Sequence, residues 1–453
     1  MECSDKDTER TYYFRWWVYR KHLKKTPEGF VVTEFLPDVP WSGKYNVINA
    51  AAGHHIMERR WLKNADIYLN DYIRFLLNHA HEGTQYSSFT LWATKEFHAV
   101  TGKADIPAFL PKAKALYADF EREHGTEIGL FWSIDGYDAM EFSLSGSPDG
   151  APIKGIRPTL NSYMYGAAKA IDAFSRLSGE SSSEYGEKAE KISADIKNIL
   201  WRDGFFKALH PRDGDFKKVP TMETADIPRE LIGYIPFVFS IPGGRYDVFS
   251  LLEDRSVFLA KEGLTTVDRG FPGFLSPSRH ECLWNGYVWP FATSQTLTAL
   301  LQTLRDSEDC RKQYKNMFWR LLNQYAKQHY LEEHGRRVMW IDESGTPDTH
   351  CWWSRKVLKE NGWPKDKGGF ERGKDYNHST FCDLVISALS GAEYKNGALS
   401  FDPVIPDNME YFSIDDLCIQ GNRYRIVFDR TGNKYGKMGT FVYKNVDIVY
   451  SHM

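Results

Sequence analysis

Apolar residues recur at three- to four-residue intervals along most of the first 390 positions, which is the spacing of amphipathic helices. Typical stretches read NVINAAAGHHIMERRWL, ADIYLNDYIRFLLNHA, TLNSYMYGAAKAIDAFSRLSG, ADIPRELIGYIPFVFSI, YDVFSLLEDRSVFLA and DCRKQYKNMFWRLLNQYAKQHYL. About twelve such stretches follow one another in pairs, from TERTYYFRWWVYRKHL near the start to HSTFCDLVISALSG. The pattern therefore predicts a protein dominated by α-helices.

Long polar connections separate many of the helix pairs. They are rich in glycine, proline and acidic residues and cover 131–158, 202–226, 262–284 and 333–374. Connections between paired helices are usually shorter, and long ones tend to carry function. Twelve helices in six hairpins predict a closed, double-layered (α/α)6 barrel, with the long loops gathered around a pocket at one end.

The last part of the chain follows a different pattern. The stretches GALSFDPVIPD and CIQGNRYRIVFDRTGNKYGKMGTFVYKNVDIVY alternate apolar and polar residues, with turn signals at Gly432-Asn433 and at Lys437-Met438-Gly439. We therefore expect two domains. Residues 1–396 form the helical barrel, and residues 397–453 form a small antiparallel β module.

Composition narrows the range of partners. The chain has 57 basic and 60 acidic residues, a net charge of -3 and no basic stripe, which argues against a nucleic-acid partner. Aromatic residues make up 15% of the sequence. Most of these rings are expected in the core, but rings also form the flat walls that sugar faces pack against.

Neither a membrane span nor a metal site is predicted. No run of about 18 apolar residues occurs, and the first residues, MECSDKDTER, lack an apolar leader. These first residues favour a cytoplasmic location, or export with the leader already removed. The oligomeric state stays open. The six cysteines are scattered without a C-x-x-C pair, so they fit neither a disulfide framework nor a zinc site. No cofactor is expected.

The segment FWSIDGYDAMEF places three acids among rings. Asp135, Asp138 and Glu141 lie three residues apart, beside Trp132 and Tyr137. Burial against rings raises the pKa of a carboxyl group, which can then donate a proton to a leaving oxygen near neutral pH. An acidic turn in solvent explains the same spacing, since acidic residues are mostly exposed.

The segment HECLWNGYVWPF is a candidate sugar-binding wall. Trp284 and Trp289 supply ring faces on either side of Asn285 and Gly286, and glycine permits a close backbone approach. The alternative is the N-terminus of a helix with a cluster of rings that face the core.

Two later segments combine acids, tryptophans and a histidine. In RRVMWIDESGTPDTHCWW, Trp340 precedes the acid pair Asp342 and Glu343, which a simple turn also explains. In ERGKDYNHSTFCDL, His378 lies where a polar loop meets an apolar helix, and a helix cap is the alternative interpretation.

The order of these segments resembles the six-hairpin glycoside hydrolases of family 63 and the mannosylglycerate hydrolase-like group. The matching motifs are DGYDAMEF followed by TLNSYMYGAAKAI, then WNGYVWP, ESGTPDTH and GKDYNHSTFCDL, and they cover most of the first 395 residues. Tyr287 and His350 replace a proline and a glycine of the family pattern. The resemblance implies an (α/α)6 barrel that hydrolyses a glycosidic bond with inversion.

Carried over by position, the resemblance assigns Asp138 as the general acid and Glu343 as the general base. Carboxyl groups roughly 6.5–9.5 Å apart leave room for a water, and inversion follows. Asp135 is expected to tune the acid or bind a hydroxyl, and Glu141 to be structural. The residues expected to contact the carbohydrate are Trp41, Lys44, Trp132, Asp135, Tyr137, Trp284, Asn285, Gly286, Trp289, Trp340 and His378.

Three alternatives remain open from the sequence. A glycoside phosphorylase would use phosphate in place of water and would not need Glu343. A sugar epimerase or lyase on the same barrel would depend on histidines such as His54, His55 and His378. A carbohydrate-binding protein without activity would bind sugars without turnover, which the presence of both carboxylates disfavours.

Overall fold

The computed structural model describes residues 1–79, 84–180, 183–210, 216–217, 227–395 and 397–452. Much of the long connection 202–226, and position 396 at the expected domain boundary, lie outside these ranges.

Twelve α-helices occur in the described ranges. They are α1 (Lys6–His22), α2 (Asn49–Arg59), α3 (Ala65–Asn78), α4 (Thr90–Thr101), α5 (Ile106–His124), α6 (Pro158–Leu177), α7 (Glu184–Asp195), α8 (Ile235–Val238), α9 (Pro290–Asp306), α10 (Glu308–Lys327), α11 (Trp353–Glu360) and α12 (Cys382–Ser390).

Six of these helices close into an inner ring. Among the described residues, α2 packs on α4, α4 on α6, α6 on α8, α8 on α9, α9 on α12, and α12 returns to α2. The helices α1, α3, α5, α7 and α10 pack outside this ring, against α12, α2, α6, α6 and α9 respectively. The chain thus forms the predicted (α/α)6 barrel, because each pair buries its apolar stripe against the ring.

Two predicted helices are shorter than their periodicity indicates. Residues Leu231–Tyr234 form a 3-10 turn that leads into the four-residue α8, and Tyr246–Leu252 form a 3-10 helix in place of a longer α-helix. Pro236 and Pro242 limit helix propagation here. Phe249 nevertheless packs on Tyr234 and Phe237, so this short element fills the sixth outer position.

Fifteen strands occur in the described ranges. They are β1 (Glu2–Cys3), β2 (Leu23–Thr26), β3 (Gly29–Val32), β4 (Trp132–Ser133), β5 (Gly155–Ile156), β6 (Trp201–Arg202), β7 (Phe205–Phe206), β8 (Tyr330–Glu333), β9 (Arg336–Met339), β10 (Ala392–Lys395), β11 (Ala398–Phe401), β12 (Tyr411–Ile419), β13 (Asn422–Asp429), β14 (Gly439–Lys444) and β15 (Asp447–His452).

The C-terminal strands form an antiparallel sheet against the barrel. Its order is β1-β12-β13-β14-β15, so the first residues of the chain join it through the pair Glu2–Ser413. β12 packs on α4 and α12, and the Gln420 amide donates to the Val100 carbonyl at 2.7 Å. The predicted turn at Gly432-Asn433 lies in the β13–β14 connection, residues 430–438, and the turn predicted at Lys437-Met438-Gly439 lies at its end, where Gly439 begins β14. The boundary at 396/397 remains a prediction.

None of the helices in the described part of the chain has the length and apolar character needed to cross a bilayer.

Candidate active site

Short backbone pairings join the long loops to one another. Val288 pairs with both Thr265 and Gly345, and Gly345 in turn pairs with Trp352. The Trp284 amide donates to the Glu141 carbonyl at 3.1 Å. These links bring the segments around residues 141, 284 and 343, which are far apart in sequence, to the same end of the barrel.

Asp138 lies in a buried cluster that we call the Arg157 network: Asp138, Arg157, Ser87, Ser145 and Glu230. The Arg157 Nε donates to Asp138 at 2.6 Å, the Ser87 hydroxyl donates to the second Asp138 oxygen at 2.6 Å, and both side chains of the ion pair are 0% exposed. Arg157 also reaches Ser145, whose hydroxyl donates to Glu230. Burial raises the pKa of Asp138, although Arg157 opposes this.

Asp135 organises the turn that carries Asp138. Its carboxylate accepts from the Gly136 amide at 2.9 Å and from the Ser143 amide and hydroxyl at 3.1 Å each, and it also accepts from the Ser147 hydroxyl. Four donors around one buried carboxylate fix the backbone between residues 135 and 147. Asp135 therefore stabilises the conformation of this loop, because all four donors come from the loop.

A second buried arginine organises the other carboxylates, in what we call the Arg372 network: Arg372, Glu281, Glu343 and Lys367. Arg372 Nη1 donates to Glu281 at 3.0 Å, and Nη2 donates to Glu343 at 3.2 Å. Lys367 also pairs with Glu281, at 2.5 Å. The Arg372 guanidinium lies 4.7 Å from the centre of the Trp41 ring, which covers it in a cation–π contact.

Glu343 is buried and only half satisfied. Its Oε1 accepts from Arg372, but its Oε2 has no hydrogen-bond partner among the described residues. Burial raises the pKa of Glu343, and Arg372 acts against that rise. The neighbouring Asp342 accepts from the Glu343 amide and from the Trp340 ring nitrogen, and burial raises its pKa to about 7.

Gly373 allows this arrangement to close. Its φ is +74°, and a Cβ at this position would meet Asp342 Oδ1 at 2.0 Å. A side chain at residue 373 would therefore displace Asp342 or shift the backbone next to Arg372. The local backbone thus needs glycine here.

Glu34 is a further buried acid beside the Arg372 network. It accepts from the Trp41 ring nitrogen at 3.3 Å and from the Ser42 hydroxyl, and His378 Nε2 lies 3.9 Å away, too far for a hydrogen bond. Burial raises the pKa of Glu34 to about 7, and the charge of Glu343 adds to the shift. Trp41 and His378 thus lie beside the same acid group.

Glu141 faces Cys282. The Cys282 thiol donates to Glu141 Oε2 at 3.0 Å, and Glu141 as a residue is partly exposed. Burial raises the pKa of Glu141, with smaller contributions from the charges of Asp135 and Glu343. Glu141 therefore interacts electrostatically with the Arg372 network.

Trp284 and Trp289 stack on each other and are nearly fully buried. Their ring centres are 4.4 Å apart at 16°, and Trp289 donates to the Leu283 carbonyl, whereas the Trp284 ring nitrogen has no partner in the described structure. Asn285 Nδ2 donates to the Ser276 carbonyl, and its Oδ1 has no partner within the described residues. Gly286 has φ +130°, and a Cβ would strike the Phe274 ring at 2.6 Å, so its role is close packing.

Three other expected contact residues line the edges of this region. Trp132 packs 4.8 Å from His124 and 6.4 Å from Tyr137, with the Lys154 ammonium 3.9 Å from its ring centre. Trp340 is held by Asp342. All three expected residues, Trp132, Tyr137 and Trp340, are partly accessible.

Lys44 points elsewhere. Its ammonium pairs with Glu28, which also pairs with His79 at the end of α3. No contact described for Lys44 reaches the Arg372 network or Trp41. Its assignment as a sugar contact stays a prediction from the family resemblance.

Sequence reasoning did not single out Glu34, Glu281, Arg157 or Arg372. A signal existed for Glu34, because it interrupts the apolar run VVTEFL and must therefore be buried or paired. Glu281 and Arg372 lie inside segments chosen for other residues. Nothing local marks Arg157, which looks like any arginine before a helix until its partners are known.

Several buried polar atoms at this end lack partners within the described ranges: Glu343 Oε2, Trp284 Nε1, Asn285 Oδ1, Asn377 Nδ2, His378 Nε2 and Thr380 Oγ1. Buried polar groups are nearly always hydrogen-bonded, so such a concentration is typical of a site that a polar ligand or ordered water completes. In the described part of the chain, no three His, Cys, Asp or Glu side chains group as metal ligands.

Comparison with solved structures agrees with this architecture. A structure described as a sialidase is 31% identical with a TM-score of 0.84, and the match covers 100% of this chain but only 40% of that one. A family 63 mannosylglycerate hydrolase from Thermus thermophilus, in complex with glucose, is 15% identical over 77% of this chain and 98% of that one, with a TM-score of 0.53.

An α-L-rhamnosidase of Streptomyces avermitilis, complexed with L-rhamnose, is 12% identical over 97% of this chain and 37% of that one, with a TM-score of 0.54. At these low identities, the last two likenesses concern the fold alone. No curated protein sequence matches the chain.

The sequence profile of the mannosylglycerate hydrolase MGH1-like glycoside hydrolase domain matches residues 44–379, which is most of the chain. The match contains the segments around Asp138, Trp284, Glu343 and His378 that the sequence analysis selected. The chain therefore belongs to the MGH1-like glycoside hydrolase family.

Proposed function

We propose that the protein is a glycosidase that hydrolyses a glycosidic bond with inversion at the anomeric carbon. The observation that carries the proposal is the state of Glu343. This buried carboxylate is held on one oxygen by Arg372, and its other oxygen has no partner in the described structure. A general base needs such a free oxygen within reach of a water.

Burial raises the pKa of Glu343, and Arg372 is the partner that favours its ionised form. The Arg372 guanidinium donates directly to the carboxylate, and it is itself held by Glu281. Burial acts to lower the pKa of Arg372, but the neighbouring acidic groups, with Glu343 the largest contributor among them, together outweigh this and raise it, so the cation persists. Glu343 can thus accept a proton from water while its position stays fixed.

The surroundings suit a carbohydrate. Indole and amide groups with unsatisfied polar atoms, at Trp284, Asn285 and Asn377, lie near the acids and match the many hydroxyl groups of a sugar. The partly accessible ring of Trp41 offers a flat face at the mouth of the site. The proton donor comes from the segment 135–141, where the family resemblance favours Asp138.

A screen of aryl glycosides and natural oligosaccharides tests this function. We expect turnover of at least one glycoside in buffer without phosphate, with the first-formed product anomer opposite to that of the substrate by proton NMR. Strict dependence on phosphate would instead indicate a phosphorylase. A product of retained configuration would contradict inversion, and binding without turnover would contradict catalysis.

A further inference from the structure

Two acids of one short segment differ in their access to a substrate. The Asp138 carboxylate is 0% exposed, and each of its oxygens already has a partner, Arg157 or Ser87, at 2.6 Å. A donor must reach the glycosidic oxygen to within about 3 Å. In this structure Asp138 can do so only after its contact with Arg157 or with Ser87 breaks.

Glu141 has the access that Asp138 lacks. As a residue Glu141 is partly exposed, and its carboxylate hydrogen-bonds to the Cys282 thiol, a weak donor, and to its own backbone amide. Replacing the thiol contact with a substrate oxygen sacrifices little. The Glu141 carbonyl accepts from the Trp284 amide, so its backbone is fixed beside the tryptophan stack.

The backbone on both sides of Glu141 is strained. Ala139 has φ +57° and Phe142 has φ +61°, both in the left-handed region that side chains other than glycine rarely adopt. These two positions bracket Met140, which is buried, and Glu141, which is not fully buried. Strain of this kind persists where the surroundings hold a functional side chain in one orientation.

We propose that Glu141 is the proton donor of the glycosidase, and that Asp138 is a positioning residue that anchors the segment through Arg157. This assignment rests on the proposed function and names the acid of the same site. It differs from the family resemblance, which places the acid at Asp138.

The electrostatic surroundings support a protonated Glu141. Burial raises its pKa, and the nearby carboxylates Asp135 and Glu343 raise it further, while the Cys282 thiol opposes the shift. The titratable groups with the largest effects on the pKa of Glu141 are Asp135, Cys282 and Glu343, and Glu141 in turn raises the pKa of Tyr86 and Tyr376. Among the described residues, none of these groups is a cation, whereas Asp138 is paired with an arginine.

The proton and electron balance of the step is simple. Glu141 gives its proton to the glycosidic oxygen as the bond from that oxygen to the anomeric carbon breaks. Water attacks the anomeric carbon from the opposite face and loses a proton to Glu343. Solvent then returns the proton to Glu141 and removes the one on Glu343.

Two substrates that differ only in the leaving group separate a donor from a positioning residue. The variants Glu141→Gln and Asp138→Asn are compared with wild type on a dinitrophenyl glycoside, whose leaving group needs no protonation, and on a methyl or unactivated aryl glycoside of the same sugar. Glu190→Gln is the matched control, since Glu190 is 77% exposed and lies on the outer helix α7.

We expect Glu141→Gln to lose on the order of 10²–10⁴-fold in kcat on the unactivated glycoside and much less on the dinitrophenyl glycoside. Asp138→Asn should lose activity to the same extent on both. A leaving-group-dependent loss in Asp138→Asn, or an equal loss in Glu141→Gln, overturns the assignment. If Asp138→Asn does not fold, the split in Glu141→Gln decides alone.

The test also separates this assignment from the function on which it rests. Absence of wild-type turnover on every glycoside overturns the proposed function and the assignment with it. Wild-type turnover with the wrong pattern among the variants overturns the assignment alone.

Discussion

Two buried arginines organise the acids of this protein in opposite ways. In the Arg157 network, the carboxylate of Asp138 is closed off by partners on both oxygens and has no exposure. In the Arg372 network, Glu343 is paired on one oxygen and free on the other. A carboxylate with partners on both oxygens holds the backbone that carries it, whereas a carboxylate with one free oxygen can still react. The same residue types therefore serve scaffold and chemistry, depending on which lone pairs remain open.

The largest expected effect is on catalysis by Glu343 in the Arg372 network. Glu343→Gln keeps the shape of the side chain but removes its ability to accept a proton. We expect kcat/KM to fall on the order of 10²–10⁴-fold, with little change in the melting temperature. Steady-state kinetics on a glycoside from the screen, with thermal unfolding in parallel, checks this. Activity within about twofold of wild type would show that Glu343 is not the base.

The next effect concerns the Arg157 network and its contribution to the stability of the fold. Asp138→Ala leaves Arg157 as an unpaired buried cation, so the free energy of unfolding should fall by roughly 3–5 kcal/mol. Removing both charges, in Asp138→Leu/Arg157→Met, should restore part of the loss. Urea unfolding measures both. If the single and double variants are equally unstable, the charge pair is not what holds this segment.

A third prediction uses the pH dependence of activity to compare two cations of the Arg372 network, Arg372 and Lys367. The base must be ionised to work, and burial already raises the pKa of Glu343 while Arg372 opposes that rise. Arg372→Met should therefore move the acidic limb of the kcat/KM profile to higher pH, by about one to three units. Lys367→Met is the matched control, because Lys367 pairs with Glu281 and should shift the limb less. Equal shifts would contradict a direct effect of Arg372 on Glu343.

The smallest effect separates two residues of the segment PWSGKYN. Trp41 covers Arg372 and donates to Glu34, whereas Lys44 turns to Glu28. Trp41→Ala should raise KM about tenfold, and Lys44→Ala should leave KM unchanged. A comparable rise in both would place Lys44 in the sugar site, as the family resemblance implies.

Local pattern was sufficient for the helices but not for the partners of the acids. The amphipathic stretches in TLNSYMYGAAKAIDAFSRLSG and DCRKQYKNMFWRLLNQYAKQHYL correspond to α6 and α10, because the apolar stripe of each helix is buried against neighbouring helices. The stretch YDVFSLLEDRSVFLA was wrong as a long helix, since packing of Phe249 rather than periodicity holds that segment. The addition of β1 to the C-terminal sheet joins residues at opposite ends of the chain, Glu2 and Ser413, which no local signal reveals.

By itself, the sequence determined the helical pairs, the (α/α)6 barrel, the β-rich end and the segments that meet at the site, because each depends on the order of apolar and polar residues. Only the tertiary structure decided which carboxyl groups are satisfied. Asp138 and Glu141 are alike in sequence, as acids three residues apart beside rings. In the structure, Asp138 forms a buried ion pair with Arg157, whereas Glu141 accepts only a weak hydrogen bond from a side chain, the Cys282 thiol. The reason is that hydrogen-bond partners come from distant parts of the chain, and a carboxylate's reactivity depends on those partners and on its exposure.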